Sequence, residues 1–203
     1  MNVFYESVKG FTDLPIALVA AVFGILTLKK SNKNWGIFFL LIAVAGLLGA
    51  IAHIISFSQT CKNIIWTVLY ILLFECIRRA SLLFANYIKQ KGEKEKPFLF
   101  SAEAVCYLAA LCLMFFVGDY DIYILCVFAA ISLARTAIPF FRVKTLPRFS
   151  VAFVGLLVPP VLFQIFSKAI PYAVVYEHIF ILAELFLAYQ ISSESKTQND
   201  LLP

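Results

Sequence analysis

Two histidines stand in this 203-residue chain, His53 in "GAIAHIIS" and His178 in "VYEHIF", and each is embedded in apolar sequence. Carboxylates lie near both. Asp13 sits in "GFTDLPIAL", Glu177 directly precedes His178, and Glu75 and Glu184 occur in "LLFECIRRA" and "ILAELF". Two imidazoles with one or two carboxylates are the donor set of a zinc site, which turns hydrolytic when three protein ligands leave a fourth position to water. A metal would also supply the charge that makes buried carboxylates tolerable. His53, His178 and Asp13 are accordingly the candidate metal ligands, and Glu177 and Asp13 the candidate catalytic carboxylates. No HExxH or HxxxH pair is present. Adjacent Glu177 and His178 point about 100° apart on a helix, so one would be a primary ligand and the other would orient it or act as base.

The elements that must position these residues are membrane segments. Hydrophobic residues make up 62% of the chain and mean hydropathy is +0.90, whereas soluble domains are about half apolar. A helix crosses the hydrocarbon with roughly 20 mostly apolar residues, because each backbone N–H and C=O must bond within its own segment. Seven stretches qualify, at about 11–29, 34–57, 64–88, 98–117, 121–141, 149–168 and 172–191. The reading is an all-α, seven-helix transmembrane bundle forming one domain over 1–203, with a short polar tail at 192–203. The longest polar connection, "KQKGEKEK" at 89–96, is a solvated charge run.

Orientation follows from Lys and Arg, which are retained on the cytoplasmic side. Of 17 basic residues, Lys9, Lys62 and Lys168 alone fall at one set of segment ends. The N-terminus is therefore expected outside, the C-terminus inside, and the chain integral to a cell or bacterial inner membrane. The net charge of +5 is topological and implies no nucleic-acid partner. The first segment is long enough to stay as an anchor rather than serve as a cleaved signal. Five cysteines show no CxxC spacing.

With that orientation, Asp13, His53, Glu177 and His178 all fall within one or two turns of the outer surface. Each has an ordinary alternative. Thr12 would serve as an N-cap with Asp13 in the first turn and Pro15 tolerated there; His53 could bond a neighbouring carbonyl, Glu177 could reach the interface and His178 could pack. Tyr172 and Tyr176 are candidate substrate-binding donors at the same height, where aromatics are enriched in any case. A second polar layer of Glu75, Arg78, Arg135 and Glu184 is expected near the midplane. Glu75 can pair with Arg78 or Arg79 at i, i+3 or i, i+4, as a packing device or as part of a proton or ion path. Pro159 and Pro160 would break or kink the sixth segment.

Seven segments, an outside N-terminus, an early carboxylate, His53 on the second segment and His178 on the seventh resemble the membrane-hydrolase superfamily of alkaline ceramidases and adiponectin receptors. That resemblance implies a zinc cofactor and hydrolysis of a lipid amide or ester. The family carries Ser-x3-His, an Asp on helix 3 and His-x3-His; here Gly49, Val174 and Leu182 stand at the serine and second-histidine positions, and the outer half of segment 3 holds no Asp. Asp13 or Glu177 would replace the missing ligand, and Ser56 is the nearest successor to the serine. "FTDLP…GAIAH…W" is also similar to small bacterial seven-helix membrane proteins of unassigned activity. Retinal is set aside, since no lysine lies between Tyr172 and Ile191 for a Schiff base. Three functions follow as expectations: a metal-dependent lipid hydrolase, a receptor or sensor for a small ligand or proton, and a proton- or ion-coupled transporter. Membrane lipids are the expected partners in each.

Overall fold

The computed structural model describes residues 3–90 and 172–194. Four helices account for them: α1 (Val3–Lys29), α2 (Lys33–Ile54), α3 (Gln59–Gln90) and α4 (Ala173–Glu194). No strand occurs among the described residues. All four contain a stretch long and apolar enough to cross a membrane. The expected segments at 98–117, 121–141 and 149–168, with Arg135, Pro159 and Pro160, lie outside the described residues.

The helix bounds differ from the expected ones in ways that matter for the site. α1 starts at Val3 rather than near residue 11, so Thr12 is not its N-cap and Asp13 is not in its first turn. Nothing in "VFYESVKGF" stops a helix, and Pro15, placed inside α1, removes only the rung to the Phe11 carbonyl. α2 ends at Ile54, and Ile55 is extended, which leaves Ser56 in the short loop before α3. α3 begins at Gln59, so Glu75 is sixteen residues into it, about 24 Å along the axis and at the midpoint of this 32-residue helix. Glu184, eleven residues into α4, stays near the midpoint of its helix.

α1 and α2 form an antiparallel pair joined at residues 30–32. Asn32 N–H bonds the Thr27 carbonyl at 3.2 Å and Ser31 N–H the Leu28 carbonyl at 2.9 Å. This is the Schellman arrangement, with Ser31 in the left-handed position (φ 61°) where glycine is usual. α3 returns antiparallel to α2, its Trp66 ring meeting His53 edge-on at 5.3 Å. α4 runs parallel to α1. Thr12 meets His178 at one end, Phe23 stacks on Tyr189 at 4.2 Å further along, and Asn32 Nδ2 reaches the Ser192 carbonyl at the other. The end where α1 and α4 begin is called upper below, and the opposite end lower.

Lipid tails are as apolar as leucine, so such helices associate through close packing rather than through the hydrophobic effect. The core is correspondingly dense in aromatic and small residues. Phe23, Trp35, Phe38, Phe39 and Phe74 are buried with Ala20, Ala43 and Ala188. The outward faces carry Leu18, Val22, Ile25, Val44, Ile64 and Ile179, all exposed, a surface suited to hydrocarbon. Small residues set the α1–α2 distance. A Cβ at Gly46 would stand 3.1 Å from the Ala17 amide nitrogen and 3.3 Å from the Asp13 carbonyl, so any side chain there would press on the α1 backbone and make it give by a few tenths of an ångström.

Candidate functional site: a buried aspartate and histidine between α1 and α4

The sequence puts Asp13 on α1 and His178 one turn into α4, and the parallel packing of those helices brings them into contact. His178 Nε2 lies 3.2 Å from Asp13 Oδ1, with the two side chains 10% and 11% exposed. The other ring nitrogen, Nδ1, lies 2.7 Å from the Thr12 hydroxyl. That hydroxyl also stands 2.8 Å from the Lys9 carbonyl and 3.2 Å from the Val8 carbonyl. Thr12, placed by sequence reasoning as a helix cap, is instead the second partner of the histidine.

Gly49 completes the seat of the carboxylate. A Cβ there would fall 2.9 Å from Asp13 Oδ2, so the position where a serine was expected by resemblance is the space the aspartate fills. No local signal in "LLGAIAH" marks this, because it depends on which α1 residue stands opposite.

Glu177 is buried, 6% exposed, and its Oε2 has no hydrogen-bond partner among the described residues. Asp13 lies within its electrostatic reach. His53 is half-buried one turn nearer the upper end. A Cβ at Gly10 would come 3.1 Å from the Cβ of His53, and the imidazole meets Trp66. His53 and Lys9 both lie within electrostatic reach of His178. Of the four residues expected to share a layer, two therefore touch and two flank them. Tyr172 and Tyr176 are about half exposed. Tyr172 takes a left-handed φ of 58° and offers its carbonyl to the first amides of α4. Ser56 is exposed in the loop after α2.

A hydrolytic zinc needs three protein donors. Among the described residues, no group of three or more His, Cys, Asp and Glu is gathered to hold an ion. Asp13 and His178 are two such donors, and both nitrogens of His178 already have partners.

The second polar group is separate. Glu75 accepts hydrogen bonds of 2.6 Å from Arg78 Nε and Nη2, while Arg79 Nε stands 2.9 Å away as an ion pair not aligned for a hydrogen bond. All three belong to α3, and their side chains are 20% to 38% exposed. A carboxylate ringed by its own helix's arginines is neutralised locally and needs no partner across the bundle. Glu184, 9% exposed, has an Oε2 without a hydrogen-bond partner among the described residues.

No curated protein and no solved structure matches the chain. A family described as "Family of unknown function (DUF6962)" matches residues 8–170. The match takes in Thr12, Asp13, Gly49 and His53 and stops short of α4, so Glu177 and His178 lie beyond it. Because it covers 163 of the 203 residues (8 to 170), the chain belongs to the DUF6962 family.

Proposed function

We propose that the protein is a seven-segment integral membrane receptor or sensor, N-terminus outside, whose outward-facing Asp13–His178 pair is a proton-responsive contact between α1 and α4. The observation that carries this reading is the buried carboxylate–imidazole contact itself. Polar groups in hydrocarbon are costly and are by default functional. A histidine changes charge between about pH 5 and 8. Gain or loss of a proton here would place net charge between two helices with little water to screen it. The groups that face His178 are Asp13 and Lys9 from α1 and His53 from α2, with Glu177 beside it on α4.

The seven-segment topology has its own support. α3 ends at the lower side and α4 starts at the upper side, an arrangement compatible with the three apolar segments expected between them from sequence. The Lys and Arg distribution puts the upper side outside.

The test is a distance between spin labels at exposed Leu18 on α1 and Phe180 on α4, in lipid vesicles, followed from about pH 5 to 8. A pH-dependent shift lost in Asp13→Asn supports the reading. An invariant distance, or a shift that survives the substitution, sinks it. Elemental analysis of chelator-free protein is the companion measurement. About one zinc per chain, absent from His53→Ala and His178→Ala, would replace this reading with the lipid hydrolase. Proton flux into vesicles that depends on Glu184 would replace it with the transporter.

A further inference from the structure

Thr12 has one hydroxyl hydrogen and three close neighbours: the carbonyls of Lys9 and Val8, at 2.8 and 3.2 Å, and His178 Nδ1 at 2.7 Å. Carbonyl oxygens only accept. A threonine inside a helix ordinarily donates to the carbonyl three or four residues back. If the Thr12 hydrogen were given to Nδ1 instead, two oxygens would face each other at 2.8 Å with no hydrogen between them. The hydroxyl therefore donates to the Lys9 carbonyl, and its lone pair is what it offers the imidazole. Nδ1 must then be the donor.

The geometry points to a tautomer lock: Thr12 is a positioning residue that holds His178 in its Nδ1–H form and so turns a bare Nε2 toward Asp13. This inference rests on the reading of the upper site given above. A bare Nε2 at 3.2 Å from Oδ1 is an attractive contact only if one further proton lies on that line. The proton is held either by the carboxyl, which then donates to Nε2, or by the ring, which then pairs with a carboxylate. In both forms Asp13 and His178 together carry no net charge, which is how the pair is accommodated in an apolar bundle. Gly49 contributes by leaving the space that lets Asp13 reach this position. Nε2 is thus the working nitrogen of the site, and Nδ1 is its anchor.

The chain has only two histidines, so 15N-histidine labelling with His178→Gln as the assignment control resolves each ring. In wild-type protein in lipid vesicles near neutral pH, His178 is expected to show a protonated Nδ1. Thr12→Ser should preserve that signature, since serine keeps the hydroxyl. Thr12→Val, of the same shape without it, should shift the ring toward the Nε2–H form. A bare Nδ1 in the wild type, or an unchanged tautomer in Thr12→Val, overturns the lock. The outcome is separable from that of the functional reading. A bare Nδ1 alongside an intact pH-dependent distance defeats only the lock, whereas a protonated Nδ1 with an invariant distance defeats only the sensor.

Discussion

Asp13 is held by contacts on two sides, a histidine nitrogen from α4 and the bare Cα of Gly49 from α2, and this makes its replacements distinguishable. Asparagine has the same outline, and its amide can donate to a bare Nε2. Asp13→Asn is expected to unfold in detergent within about 1 kcal/mol of wild type. Asp13→Ala should lose roughly 1–3 kcal/mol, because a buried acceptor is then left without a donor. If both variants melt together well below the wild type, the contact is not held by hydrogen bonding. Gly49→Ala meets the same carboxylate from the other side and should lower the melting temperature in the Asp13 protein but less in an Asp13→Ala background. Equal losses in both would mean that Gly49 is required for some other contact.

The helices are placed by small residues and by turns. Gly46→Ala puts a methyl against backbone atoms of Ala17 and Asp13, which cannot rotate away. A loss of about 1–3 kcal/mol is expected from this overpacking, measured as thermal unfolding in detergent; a neutral result would show that α1 and α2 can separate freely. Ser31 holds a left-handed conformation that is unfavourable for a side chain by about 1–2 kcal/mol. Ser31→Gly should therefore raise the melting temperature, and a fall would contradict the Schellman turn. That turn matters beyond its own loop. Asn32 ties it to the Ser192 carbonyl, and Lys30 lies over the Tyr189 ring at 5.5 Å, so it anchors α4 at the lower end while Asp13 and Thr12 meet it at the upper.

Across the whole molecule, the testable quantity is sidedness. Cys61 is exposed at the start of α3, on the side proposed to be outside. In a variant retaining Cys61 as its single cysteine, a membrane-impermeant thiol reagent applied to intact cells should label the protein. Labelling only after permeabilisation would invert the topology and turn the Asp13–His178 site toward the cytoplasm.

Composition alone determined that the described residues are helical, with four helices long and apolar enough to cross a membrane, because lipid leaves a backbone few alternatives to internal hydrogen bonds. Position along each apolar segment also pointed to one height for Asp13, His53, Glu177 and His178, since rise per residue is fixed in a helix. Lateral neighbours were not legible. Which α1 residue faces Gly49, and that α4 lies against α1, depend on helix rotation and on side-chain shape summed over whole interfaces. The same holds for the role of Thr12, whose cap-like sequence context gave way once α1 extended back to Val3. Asp13 and His178, 165 positions apart in the chain (178 minus 13), became a pair only through the packing of two helices whose contact no local pattern encodes.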